Sequence, residues 1–156
     1  MKMFKKILVA VDGSEASFNA LEHSLELSDK FDAELIILSA FQKRTLPIIL
    51  SEGAQEDWSI DIDVYEKYWA SIRESQINVL RKAEEIVREN FPSVKYSTIL
   101  TEGRPSSEII SAAKEVDADL IVIGRSGRGG ITEWILGSTS RKVVDACDRS
   151  VLVIKK

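Results

Sequence analysis

The sequence predicts an α/β fold, an open parallel sheet of five strands with helices on both faces. Two observations carry this. Short apolar runs alternate along the chain with longer stretches of helical periodicity, and four of the five runs are nearly continuous in Ile, Leu, Val and Ala. Unbroken apolar runs mark strands buried on both faces, as in a parallel sheet covered by helices. The alternation implies right-handed crossovers, which set helices on either side. With 156 residues, 44% of them hydrophobic, the whole chain, 1–156, is expected to form a single domain with a full core.

The first strand covers 7–11, Ile7-Leu8-Val9-Ala10-Val11. After Asp12-Gly13-Ser14, a helix places Phe18, Leu21 and Leu25 on one face, with Ala20, Ser24 and Leu27 beside them. The second strand covers 35–41. Residues 42–61 fit neither pattern, containing Pro47, Gly53 and acidic residues together with Ile48-Ile49-Leu50 and Trp58. Long irregular segments are uncommon in compact domains. This one is read as flexible, either a surface insertion whose apolar residues pack locally or a lid or subunit contact. The second helix is the longest. Ile62, Tyr65, Trp69, Ile72, Gln76, Val79, Ala83 and Ile86 recur at three- and four-residue steps, and Pro92 marks the end. A coiled coil would share this pattern, but a surface helix covering the sheet suits it better, with its aromatic residues as packing.

The third strand, 94–100, alternates Val94, Tyr96, Thr98 and Leu100 against Lys95, Ser97 and Ile99. That suits an edge strand with one wetter face. The third helix opens at Arg104-Pro105, where the missing proline N–H costs little, and its apolar stripe is Ile109, Ala112, Ala113 and Val116. The fourth strand covers 120–123. The fourth helix starts near Gly137-Ser138 and is expected to carry Val143, Val144 and Cys147 inward. The fifth strand covers 151–154, Val151-Leu152-Val153-Ile154.

The most informative motif follows the fourth strand. Gly124-Arg125-Ser126-Gly127 leads, after nine residues, to Gly137-Ser138-Thr139, a G-x2-G-x9-G-S-T spacing. Glycines let the backbone approach an anion, and a helix starting there would aim N–H groups and its positive dipole end at it. Arg125, Arg128 and the Ser138 and Thr139 hydroxyls add donors. Ligands of such sheets bind beyond the carboxyl ends of the strands, where strand order reverses. If the first and fourth strands flank that reversal, the Asp12-Gly13 turn and the Gly124 loop share one crevice. Plainer roles stand beside these. Asp12 can order its turn, Ser138 can cap its helix, and Arg125 and Arg128 can be solvated charges. His23 reads as a surface or boundary residue and Cys147 as core.

Several classes fall away. A net charge of −4, from 21 basic and 25 acidic residues, favours neither nucleic acid nor an anionic membrane. No apolar run approaches the ~20 residues needed to span a bilayer, and the N-terminus lacks a signal-peptide pattern. With one cysteine no internal disulfide is possible, and a cytoplasmic location is expected. Gly124-Arg125-Ser126-Gly127-Arg128 ends in Arg where a nucleophile elbow needs Gly, and the chain's one His lies upstream. The Lys-containing phosphate loop is absent, as is a dinucleotide G-x-G-x-x-G after the first strand. Leu100-Thr101-Glu102 stands where a receiver domain would carry its phosphoacceptor Asp. No His/Cys cluster has metal-ligand spacing.

Read together, these segments resemble the universal stress protein family over essentially the whole chain. Lys6-Ile7-Leu8-Val9-Ala10-Val11-Asp12-Gly13-Ser14 is similar to that family's opening strand and turn. Gly103-Arg104-Pro105 with Ile109-Ile110 and Ala112-Ala113 resembles its third crossover. Asp119-Leu120-Ile121-Val122-Ile123-Gly124 and 151–154 resemble its last two strands, and the Gly124/Gly127/Gly137-Ser138 spacing its ATP-binding branch. The resemblance implies strand order 3-2-1-4-5 in an adenine nucleotide alpha-hydrolase-like fold, and a homodimer through the terminal strand. It also implies bound ATP with Mg²⁺ or Mn²⁺ held by the phosphates. By position, Ala10 and Ala40 would line the adenine side and Asp12 the ribose or metal region. Gly124, Arg125, Gly127, Arg128 and Gly129 would wrap the ribose and phosphates, and Gly137, Ser138 and Thr139 would hold the phosphates. Arg128-Gly129-Gly130 departs from the family's usual pattern.

The function expected is a small dimeric, nucleotide-dependent regulatory module of the stress response. Turnover should be slow or absent, because no general base and no lysine placed for phosphoryl transfer is evident. A slow ATP hydrolase or nucleotidyl transferase, and an interaction protein independent of nucleotide, remain the alternatives.

Overall fold

The computed structural model describes residues 3–43, 62–125 and 135–155. Nine elements follow in order: β1 (Lys6–Ala10), α1 (Glu15–Phe31), β2 (Glu34–Phe41), α2 (Ile62–Asn90), β3 (Tyr96–Glu102), α3 (Pro105–Glu115), β4 (Leu120–Gly124), α4 (Ser138–Ala146) and β5 (Ser150–Ile154). The strands form one parallel sheet in the order β3-β2-β1-β4-β5. The sheet grows from β1 first to one side and then to the other, so strand order reverses between β1 and β4, which pair through Ile7↔Leu120, Leu8↔Ile121 and Val9↔Val122. The segment 42–61 proposed as flexible lies, beyond residue 43, outside the described residues.

Alternation of side chains along each strand splits the core into two layers. Ile7 and Val9, Leu35 and Ile37, and Leu120 and Val122 face α1 and α2, where they meet Leu21, Leu25, Leu80, Ala83 and Val87. Leu8, Ile36 and Leu38, and Ile121 and Ile123 face the other way, onto Ile109, Ala112 and Ala113 of α3 and Val143 of α4. Burial on both faces explains the apolar runs of β1, β2 and β4, whereas β5, at the sheet's edge, corrects the expectation: Leu152 is exposed and Val151 and Val153 are only half-buried. On α2, Leu80 and Val87 are among the most deeply buried apolar side chains, beside Ala83, while Val79 and Ile86 flank them. Gln76 reaches the sheet as an acceptor for the buried Ser39 hydroxyl at 2.7 Å. Trp69 is buried between the edge-on rings of Tyr65 and Tyr68, so the aromatic residues of this helix pack together.

One expectation about helix side chains is corrected. Val144 is 42% exposed, because consecutive helical residues point about 100° apart and the core takes Val143. Cys147, the C-cap residue of α4, does pack against the core, half-buried. β3 also lies two residues later than expected, with Val94 held in the preceding turn by its N–H bond to the Phe91 carbonyl.

The amino edge of the sheet is closed by the protein's own groups. Asp119 Oδ2 accepts the Lys5 and Lys6 backbone N–H groups at 2.7 and 2.9 Å. Those two bonds, that of Lys6 first, hold its carboxyl below the usual carboxylate range. Lys6 Nζ donates to the Val116 carbonyl, and the Arg149 guanidinium donates to Asp117 and to the Ala118 carbonyl. No described helix is long and apolar enough to cross a membrane.

Candidate functional site at the carboxyl edge

The carboxyl edge is built differently. β1 ends at Ala10, and the chain turns through Asp12-Gly13-Ser14 into α1. Asp12 Oδ1 accepts the Ser14 N–H at 2.9 Å, while Ser14 Oγ accepts the Ser17 N–H at 3.1 Å as the N-cap of α1. The Ser17 hydroxyl closes the turn by donating to the Ser14 carbonyl. Gly13 has φ +91°, a conformation that favours glycine, and a side chain there would also press on Val79. Asp12 therefore does order its turn, with its side chain exposed at the sheet's edge.

β4 ends at Gly124 in the neighbouring strand. A Cβ built on Gly124 would lie 2.7 Å from the Ala16 carbonyl oxygen. The absence of a side chain here lets the first turn of α1 lie against β4, which is a packing reason rather than a ligand reason. Arg125 then fixes the exit. Its N–H donates to the Ile154 carbonyl of β5 at 2.9 Å, and its carbonyl accepts the Gly137 N–H at 2.9 Å and the Ser140 hydroxyl at 2.8 Å. The start of α4 is thereby tied to the end of β4.

Gly137 is the N-cap of α4, with φ −60° and ψ 162°, an extended conformation open to any residue. Its glycine is not demanded by the backbone. Ser138 is the first helical residue, so it is not the cap. No side chain among the described residues caps this helix. The N–H groups of Ser138 and Thr139 have no carbonyl four residues back within the helix, and no described residue accepts from them. The side chain of Ser138 is exposed and that of Thr139 half-buried.

Of the residues singled out from sequence, Ala10 and Ala40 lie at or near the ends of β1 and β2, both on the α3/α4 face of the sheet. Asp12, Gly124, Arg125, Gly137, Ser138 and Thr139 lie at the carboxyl edge or on the chain leaving it, around the β1/β4 reversal. Gly127, Arg128 and Gly129 lie outside the described residues. Sequence reading missed Ser140, which is 2% exposed; its position three residues after Gly137, one turn into the helix, was the available signal. Among the described residues, no group of three or more His, Cys, Asp or Glu could hold a metal ion. The donors at this edge are hydroxyls, amides and Arg125, a set suited to an anion.

Comparison with known proteins agrees with this geometry. The sequence pattern of the universal stress protein family matches residues 3–155. The universal stress protein YxiE of Bacillus subtilis is 33% identical over 153 residues, covering 98% of this chain and 100% of the relative. The solved structure of the universal stress protein UspA from Lactobacillus plantarum superposes with a TM-score of 0.77 at 24% identity, covering 96% of this chain and 97% of that one. A universal stress protein from Archaeoglobus fulgidus, solved in complex with dAMP, superposes with a TM-score of 0.61 at 23% identity, covering 97% and 98%. These two likenesses establish the shared fold.

Proposed function

The chain belongs to the universal stress protein family, and from that premise we propose that it is a cytoplasmic, dimeric regulatory module of the stress response that binds ATP at the carboxyl edge of its sheet. The observation that carries the reading is the start of α4, a helix N-terminus beside the β1/β4 reversal that no side chain among the described residues caps. Such an end attracts anions through its unpaired N–H groups and its dipole. In this reading Ser138 and Thr139 hold the phosphates and Gly137 leaves them room. Ala10 and Ala40 border the adenine, and Asp12 meets the ribose or a metal. Gly124 and Arg125, with Gly127, Arg128 and Gly129, surround the ribose and phosphates. Mg²⁺ or Mn²⁺ would enter on the phosphates, held by their oxygens and water. The dAMP complex of the Archaeoglobus relative supports an adenine nucleotide as the ligand class.

Dimerisation through β5 fits its place at the edge of the sheet, with Leu152 37% exposed and Val151 and Val153 half-buried. ATP would act as a switch by binding two conformations unequally, and partners would read the favoured one.

Mass spectrometry of ligand released from freshly purified protein, followed by calorimetry with ATP and Mg²⁺, tests the reading. One bound equivalent is expected, with thermal stabilisation of about 2.7 kcal/mol at a hundredfold excess over Kd. No heat and no stabilisation would leave a nucleotide-independent interaction protein. Sustained phosphate release that vanishes in Ser138→Ala or Asp12→Ala would make it a slow hydrolase. Val153→Lys should shift a dimer toward monomer in sedimentation, and a monomeric unmutated protein would contradict the dimer.

A further inference from the structure

The hydrogen bonds around Arg125 form a junction. One residue of the chain joins the end of the edge strand and the start of α4: the Arg125 N–H bonds the Ile154 carbonyl, and the Arg125 carbonyl takes both the Gly137 N–H and the Ser140 hydroxyl. Ser140 Oγ lies at the same time 3.1 Å from the Gly137 carbonyl, so a single hydroxyl touches both stems of the segment between residues 125 and 137. The side chain is 2% exposed, and no solvent competes for it. A serine in the first turn of an exposed helix ordinarily turns outward or bonds its own turn. Here it reaches across to a residue fifteen positions earlier.

We propose that Ser140 is a positioning residue for phosphate binding, a latch that fixes the distance and angle between the end of β4 and the first-turn amides of α4. It touches no ligand. It sets where the Ser138 and Thr139 N–H groups point, and so acts on the phosphate part of a nucleotide and not on the base. This rests on the nucleotide reading above, yet the latch can be read without any nucleotide. Because hydrogen-bonded groups bind anions best when already oriented, loosening the stems should weaken ligands in proportion to the phosphate they carry.

The test compares Ser140→Ala with Ser24→Ala. Ser24 is a fully buried serine of α1 whose hydroxyl donates to the Ala20 carbonyl at 2.7 Å, the same chemistry away from the site. In ligand-free protein, amide hydrogen exchange at Gly137 should rise about three- to tenfold in Ser140→Ala, the loss of one typical hydrogen bond, and stay unchanged in Ser24→Ala. In calorimetry, Ser140→Ala should weaken ATP about three- to tenfold while adenosine changes less than twofold, and Ser24→Ala should leave their ratio untouched. Unchanged exchange at Gly137 overturns the latch whatever the ligand result. Equal weakening of ATP and adenosine overturns its selectivity for phosphate. If the unmutated protein binds no ATP but the exchange result holds, the nucleotide reading fails and the latch survives as a structural device only.

Discussion

α1 and α4 both begin at the carboxyl edge of the same sheet, on strands that are neighbours. α1 satisfies its first turn internally. Ser14 caps it, Asp12 holds the Ser14 N–H, and Gly124 makes room for its backbone against β4. Among the described residues α4 has no side-chain cap, and Ser140 is spent on placing the helix rather than on covering its amides. The comparison separates two uses of one vocabulary of Gly, Ser and Asp. At α1 the small polar residues close a turn. At α4 the first-turn donors have no partner among the described residues and stay open to water or to an anion.

The sharpest way to break the comparison is Gly124→Val. Its side chain would collide with the Ala16 carbonyl, and forcing volume into packed structure costs about 1–3 kcal/mol. Chemical denaturation should show that loss with or without ATP. An unchanged midpoint would mean that α1 does not rest on Gly124. Next, Ser138→Ala should lower ATP affinity about tenfold while stability moves by less than about 0.5 kcal/mol. Ser14→Ala should do the reverse, costing about 1 kcal/mol through loss of the α1 cap with ATP affinity unchanged in calorimetry. If Ser14→Ala weakens ATP and Ser138→Ala does not, the roles of the two helices are exchanged.

The smallest effect lies at the opposite edge. Asp119 is exposed, so its bonds to the Lys5 and Lys6 amides are worth less than about 1 kcal/mol. Its folded-state pKa is lowered, so its contribution is present above the ordinary carboxylate range and lost as pH falls through the lower folded value. Asp119→Asn should therefore be less stable than the unmutated chain at neutral pH, and denaturation midpoints should converge in acid, below about pH 4. A gap that widens in acid would reverse the sign of this account.

The fold was legible because three strands carry their burial in their composition, and Ile7 to Val9 or Ile121 to Ile123 read the same from sequence as from the sheet, while the equally apolar β5 lies half-exposed at the edge. Strand order came from the family resemblance, and the sheet agrees with it. Inner and outer faces of short helices were less legible. Val143 and Val144 are equally apolar, and the tie of α4 to Arg125 through Gly137 and Ser140, with Val143 packed in the core, fixes which of them faces inward. On α2 the stripe is wide, so Val79 and Ile86 read as central while Leu80 and Val87 go deeper. The candidate site was half legible. A small residue at 124 suits a ligand and a packed helix alike, and sequence cannot tell the Ala16 carbonyl from a phosphate. Ser140 escaped notice because its partner lies fifteen residues earlier in the chain, and periodicity reports only neighbours along the helix.

The most direct test is to follow the backbone amide signals of the protein by NMR while ATP and Mg²⁺ are added. The account predicts the largest shifts at Ser138 and Thr139, absent with adenosine alone, and little change at Glu15 to Ser17 of α1. Shifts concentrated in the first turn of α1, or none at Ser138 and Thr139 while ATP binds, would contradict it.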